Sequence, residues 1–266
     1  MSDISSTPAA SAAVTPVATP AATMVIFQND PAGGPPKLLM MERTKTMAFA
    51  GGAAVFPGGK VDDADFDYAR ILDHGLDIDE AAARIAAIRE TLEEAGLALC
   101  LQGVDDPAGC TDARAALHDG QSLQAVCVRH GWSPQLERLI PWSRWCPPER
   151  EKRVFDARFY LFDAGNASLN ATVDETENTA LFWASAQEVI DLSHARKVKI
   201  IFPTRRNLER LALFDSYADA AVHAAQIPVR TVLTSIEERS GERWLCIPDG
   251  HGYPVLEELL KRAERG

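Results

Sequence analysis

Three glutamates stand close together in the run Arg89-Glu90-Thr91-Leu92-Glu93-Glu94-Ala95-Gly96-Leu97. Glu90, Glu93 and Glu94 lie three and four residues apart, so on a helix they share one side and reach a common point. Like charges at that spacing repel; the i, i+4 pair Glu90 and Glu94 alone destabilises an isolated helix by about 0.2–0.5 kcal/mol. A divalent cation reverses the sign, because carboxylate oxygens are the ligands that Mg²⁺ and Mn²⁺ prefer. Mg²⁺ in particular binds through a few carboxylates together with waters and substrate phosphates, which suits pyrophosphate cleavage. An acidic helix face is also what plain solvated surface looks like, so the elements around it have to decide.

The helix itself is well marked. Ala81, Ile85, Ile88 and Leu92 recur at helical spacing, Asp77 and Asp79 stand near the start, and Gly96 follows the last turn, which predicts a helix over about 79–95. Ahead of it, Thr23–Gln28 and Lys37–Glu42 read as an opening pair of strands across the turn-rich stretch 29–36. A third strand, Ala53–Phe56, stops at Pro57-Gly58-Gly59. Beyond the helix, 105–130 reads as helical with a loop. Strands are expected at 139–145, 154–162 and 179–184, helices at 186–192 and 204–225, and two short extended runs at 229–236 and 243–247.

With 266 residues, 46% hydrophobic and 24% charged, the chain is expected to fold as one elaborated domain. Residues 1–21, nearly all Ala, Ser, Thr, Pro and Val, read as a disordered tail. A catalytic domain is expected over 22–255, with insertions at 61–79 and 105–135, and a helical C-terminal tail over 256–266. The net charge of −11 disfavours a general nucleic-acid binder. No apolar run approaches the roughly 18 residues of a membrane span, and the N-terminus shows no basic segment leading into an apolar one. Five cysteines without C-x-x-C spacing indicate neither a disulfide framework nor a zinc site, and a cytoplasmic location is the simplest reading.

The helix and the glycines before it resemble the Nudix signature, G-x5-E-x7-R-E-U-x-E-E-x-G-U with U apolar. Arg89, Glu90, Glu93, Glu94, Gly96 and Leu97 match, Thr91 takes one U position, and Gly58-Gly59 match the opening glycines. Sixteen extra residues separate Gly59 from Arg89; counted back from Arg89, the isolated Glu of the signature falls on Ala81, with Glu80 one step away. Such a lengthened box is similar to the branch that includes the peroxisomal coenzyme A diphosphatase and its bacterial relatives. Further matches lie at 54–62, at 154–159, and at Phe202-Pro203-Thr204 with Asn207-Leu208.

The resemblance implies an α/β Nudix fold, an α/β/α sandwich around a mixed sheet with a helical insertion. It implies Mg²⁺ or Mn²⁺ held by Glu90, Glu93, Glu94 and the backbone carbonyl of Gly59. Water would attack one phosphorus of a nucleoside diphosphate joined to another group, with Glu90 orienting the water and Arg89 holding Glu93. A further carboxylate is expected from the loop Asp174-Glu175-Thr176-Glu177 ahead of Trp183, with Glu177 first and Glu175 as substitute. For a phosphorylated substrate, Arg43, Arg153 and Arg158 are the cations to look at, beside Lys45, Arg144, Arg150 and Lys152, with Trp142 and Trp145 as stacking surfaces. The 105–135 insertion is expected to cap the site.

Three readings stay open: a coenzyme A or acyl-coenzyme A diphosphatase, a hydrolase of another dinucleotide or ADP-sugar, and a Nudix domain kept as a ligand sensor or transcription regulator. The small-molecule nucleoside diphosphate derivative is the partner expected, and homodimerisation is consistent with the family. A regulator needs a basic recognition helix, and Arg205, Arg206 and Arg210 are followed by an acid- and Ala-rich stretch.

Overall fold

The computed structural model describes residues 18–45, 50–146, 154–167, 169–173 and 178–263. Glu177, Glu175 and Arg153 lie outside the described residues, as do Arg150 and Lys152. The strands are β1 Thr19–Gln28, β2 Lys37–Arg43, β3 Ala54–Val55, β4 Gly58–Lys60, β5 Leu101–Gln102, β6 Ser133–Pro134, β7 Ile140–Trp145, β8 Phe155–Asp163, β9 Asn178–Ala184, β10 Thr231–Val232, β11 Ser235–Arg239, β12 Glu242–Cys246 and β13 Glu257–Leu259. The helices are α1 Asp63–Ile71, α2 Ile78–Ala95, α3 Pro107–His118, α4 Leu123–His130, α5 Ala186–His194, α6 Phe202–Leu211, α7 Tyr217–Gln226 and α8 Leu260–Ala263.

A mixed eight-stranded sheet runs in the order β10-β7-β8-β1-β2-β3, with β4 beside β1 and β9 beside β2. Alternation along each strand sends neighbouring side chains to opposite faces. Ala22, Met24 and Ile26 of β1 join Leu39, Tyr160 and Phe162 under α2. Val25 and Phe27 join Leu38, Met40, Phe159 and Leu161 under α5, α6 and α7. Helices therefore cover both faces of a mixed sheet, the three-layer architecture expected from the sequence.

Both insertions thicken the layer of α2. The first folds as α1, whose Tyr68 and Ala69 pack on α2, and the second as α3 and α4, through Ala113, Ala116, Leu117, Leu123 and Val126.

Four boundaries differ from the sequence reading. β1 begins at Thr19 because it pairs in parallel with β8 from Thr19↔Phe155 onward, a tertiary ladder that overrides an Ala/Pro-rich composition. Gly58-Gly59 form a strand of their own, β4, antiparallel to β1. The expected long helix at 204–225 is two, because Ser216 caps α7 by accepting from the backbone N–H of Asp219, and Phe214 between them turns into the core. In the C-terminal tail, Glu257–Leu259 pair antiparallel with Trp244–Cys246, so among the described residues there the helix is confined to Leu260–Ala263. No helix among the described residues is long and apolar enough to cross a membrane.

Candidate active site

α2 crosses the sheet beside β4, and its acidic face meets the two glycines there. The Gly58 N–H donates to Glu94 Oε2 at 2.8 Å, and Asn178 Nδ2 at the start of β9 lies 3.4 Å from Glu94 Oε1. A Cβ on Gly59 would stand 2.3–2.6 Å from all three atoms of the Glu90 carboxyl group, so that carboxylate occupies the space a side chain would need. A Cβ on Gly58 would meet Ala22 O at 2.3 Å, because β4 lies tight against β1. The glycine pair thus lets one backbone approach both a strand and two carboxylates.

Glu94 is buried, and burial raises its pKa well above 4.5; the charge of Glu90 adds to the effect, while the Gly58 N–H opposes it. Glu90 is raised too, again by burial first, with Glu93 adding and Arg89 opposing. Two neighbouring carboxylates whose ionised forms are penalised by desolvation and by one another form a strong locus for a cation. Arg43, at the end of β2, is near enough for its charge to favour ionised Glu94, so the structure brings this residue to the site.

Glu93 points elsewhere. Its carboxylate lies 3.5 Å from Arg89 Nη1 and 3.7 Å from His118 Nδ1 of α3. Among the described residues no group of three or more Asp, Glu, His or Cys side chains closes around one point. Glu90 and Glu94 remain, an all-oxygen pair of carboxylates gathered on the glycine turn. That fits Mg²⁺ or Mn²⁺, which keep several waters and substrate oxygens among their ligands.

Arg89 corrects the sequence reading. Its main partner is Asp65 of α1, bonded from Nε at 3.1 Å and Nη2 at 2.9 Å, with Nη2 also donating to Lys60 O at 2.8 Å and Nη1 to Glu90 Oε1 at 2.9 Å. Burial disfavours its charge, but Glu90, Asp65 and Asp62 outweigh that and hold its pKa above the ordinary value. Glu93, at 3.5 Å, is the marginal contact. Asp65 is six residues after Gly59, the glycine-to-acid spacing of the signature counted forward. Counting back from Arg89 across the insertion misplaced that acid on Ala81, which is buried among apolar groups. Glu80, the neighbour, pairs with Arg84 at 2.9 Å.

Arg158 is not brought to the glutamates. It donates to Asp79 O at 2.6 Å and lies 3.8 Å from Glu80, at the first turn of α2 and about 15 Å of helix rise from Glu90. Arg144 pairs with Asp156. Trp142 and Trp145 are not stacking surfaces: both are at most 2% exposed, in the core under α6 and α7, with their indole N–H groups on Asn207 and Tyr253. Arg206 and Arg210 of α6 are buried as well, so that helix offers no basic face built on them. Among the described residues, the 105–135 helices meet the site at its edge, through His118 and Arg114. Asn178 and Arg114 were missed because nothing local marks a residue whose role comes from a distant strand or insertion.

The model of the NUDT19 Nudix domain matches residues 73–211. An acyl-coenzyme A diphosphatase NUDT19 from Gallus gallus is 28% identical over 237 residues, covering 69% of this chain and 63% of the relative. Its counterpart from Homo sapiens is 24% identical over 234 residues, covering 69% and 62%. The chain spans less than two thirds of the length of these relatives. The crystal structure of a Nudix hydrolase from Alicyclobacillus acidocaldarius superposes with a TM-score of 0.68 at 25% identity, covering 79% of this chain and 97% of that one. With the glycine turn, the acidic helix and a family match over more than half its length, the chain belongs to the Nudix hydrolase superfamily, in the family of the NUDT19 Nudix domain.

Proposed function

We propose that this protein hydrolyses the pyrophosphate bond of coenzyme A or acyl-coenzyme A with Mg²⁺ or Mn²⁺. The observation that carries the chemistry is the pairing of buried Glu94 and half-buried Glu90 on Gly58-Gly59. The substrate rests on the relatives, whose name is acyl-coenzyme A diphosphatase.

Glu90, Glu94 and the Gly59 carbonyl would hold the cation, with Glu93 at the rim. When bound, it supplies charge neutralisation at phosphoryl oxygens and a lower pKa for water. The chain's own groups do the rest. Glu90, fixed by Arg89, orients a water whose oxygen forms a bond to one phosphorus. The bond from that phosphorus to the bridging oxygen breaks, and its electron pair leaves with the departing phosphate. The Glu90 carboxylate takes the proton the water gives up. Arg43 faces the phosphates beside Glu94, and Glu177 or Glu175 is the candidate for a distal carboxylate. From coenzyme A the products are 3',5'-ADP and phosphopantetheine. The five free cysteines suit a reducing compartment, which supports a cytoplasmic location.

Purified protein should be incubated with Mg²⁺ or Mn²⁺ and coenzyme A, acetyl-coenzyme A, NADH, ADP-ribose or diadenosine polyphosphates, beside a Glu94→Gln control, with products identified by mass. Metal-dependent release of 3',5'-ADP that the control loses is the expected result. Cleavage of NADH or ADP-ribose alone would keep the hydrolase and overturn the coenzyme A assignment. No turnover of any compound would overturn the catalytic reading and favour a ligand sensor.

A further inference from the structure

An α-helix leaves its last four carbonyls without a partner inside the helix. At the end of α2 the Gly96 N–H closes the last i, i+4 bond on Leu92 O, and the carbonyls of Glu93, Glu94 and Ala95 are satisfied from outside the helix. Leu92 O accepts from the Gly96 N–H at 3.0 Å, and Ala95 O accepts from the Thr172 N–H at 3.0 Å. The two between them belong to Glu93 and Glu94, and one side chain takes both: Arg114 of α3 donates from Nε to Glu93 O at 2.8 Å and from Nη2 to Glu94 O at 2.9 Å. The same guanidinium reaches Thr172, from Nη1 to Oγ1 at 2.7 Å and from Nη2 to O at 2.9 Å. Gly96, at φ 69°, leaves the room: a Cβ there would come within 3.0 Å of Thr172 Oγ1 and 3.2 Å of Arg114 Nη1.

We propose that Arg114 is a positioning residue of the metal site, fixing from the 105–135 insertion the terminal turn that carries Glu93 and Glu94. This rests on reading Glu90 and Glu94 as cation ligands. A cation at the negative end of the helix is favourable in itself. The planar fork of Arg spans two successive carbonyls and a third group at once, which the single ammonium of Lys does not. Thr172 is two residues ahead of Asp174-Glu175-Thr176-Glu177, so the same guanidinium ties the approach to that acidic segment to the catalytic helix. His118, one turn further along α3, reaches the Glu93 carboxylate from the same helix. The insertion thereby acts as a buttress for the carboxylates.

The test is Mn²⁺ binding to the full chain, followed by electron paramagnetic resonance without substrate, beside the Mg²⁺ dependence of coenzyme A hydrolysis. Arg114→Ala should weaken Mn²⁺ binding by about 10-fold and raise the half-activating Mg²⁺ concentration in step. At saturating metal, KM should stay within about two-fold, which separates positioning from substrate contact. Arg114→Lys should recover part of the loss, and Thr172→Val should show a smaller change of the same sign. A folded Arg114→Ala protein with wild-type metal affinity and activation would overturn the proposal. If that variant does not fold, Arg114→Lys and Thr172→Val decide by the same criterion. A wild-type protein that neither binds Mn²⁺ nor cleaves any compound would remove the metal-site reading and this one with it. Wild-type binding and cleavage matched by every variant would remove this one alone.

Discussion

Asp65 and Arg89 meet in the interior, 24 residues apart in sequence and each on its own helix, with the carboxylate held by both Nε and Nη2 of the guanidinium. Asp65 is 1% exposed and Arg89 8%. The pair joins the inserted α1 to the catalytic helix and sets the guanidinium so that Nη1 faces Glu90. Asp65 thus decides, through Arg89, how Glu90 is held, one of the two carboxylates proposed to bind the cation.

Removing Asp65 should therefore cost more than a surface ion pair would. Breaking one side of a buried pair leaves an uncompensated charge, typically about 3–5 kcal/mol; Glu90 and the Lys60 carbonyl remain as partners for Arg89, which places Asp65→Ala at the low end. Urea denaturation of the metal-free protein reads the loss as a lower midpoint. A midpoint equal to the wild type would mean that Asp65 does not anchor Arg89.

Gly59→Ala should separate activity from folding. The new Cβ would overlap the Glu90 carboxyl group, which can only swing away from the turn. A displacement of about 1 Å at a reacting centre can cost about 100-fold in rate, so turnover should fall by that order while circular dichroism stays unchanged. Gly120→Ala is the control: at φ +82° with nothing within 4 Å, it should cost about 1–2 kcal/mol of backbone strain and leave specific activity intact.

The raised pKa values of Glu90 and Glu94 have a consequence for stability with a definite sign. Both stand above 4.5 in the folded protein, chiefly from burial. Their neutral forms stabilise the fold fully below that ordinary value, and the contribution is lost as pH rises through the folded values. Metal-free protein should therefore lose stability from about pH 5 to about pH 8. Mg²⁺ should restore it, with a larger rise in Tm at the upper pH, because a cation binds the ionised pair. Glu94→Gln should raise the metal-free Tm at about pH 8 by a few degrees and abolish the Mg²⁺ response. Equal Mg²⁺ shifts at both pH values would contradict this account.

What the sequence told about these residues depended on how local their signals are. Helix α2 was legible almost to the residue, because its apolar spacing and the glycine stop lie in one continuous stretch. Glu90 and Glu94 lie on it, and Gly58-Gly59 stand out in the sequence as a pair, so the meeting of helix and glycines could be anticipated from local signals. Asp65 was lost in the insertion although it keeps the forward spacing from Gly59. Trp142, Trp145 and Arg158 show the converse error: aromatic and cationic residues near predicted strands suggested ligand contacts. Which face each strand turns to which helix, and where α2 starts, sent them to the core and to Glu80. Thr19 entered a strand only because β8 lies alongside, which composition does not record.

The three glutamates should differ in weight, against the equal roles that their spacing suggests. Glu94 is buried on the Gly58 N–H, whereas Glu93 is turned toward Arg89 and His118 at the edge of the site. Glu94→Gln removes a charge from the cation locus and should lower turnover by about 100-fold or more. Glu93→Gln removes a neighbour of that locus, and about 10-fold is expected, mainly through weaker metal binding that higher Mg²⁺ rescues. Steady-state kinetics over a Mg²⁺ series for both variants gives the comparison. Equal losses that no Mg²⁺ concentration relieves would mean that Glu93 turns inward to bind the cation beside Glu94.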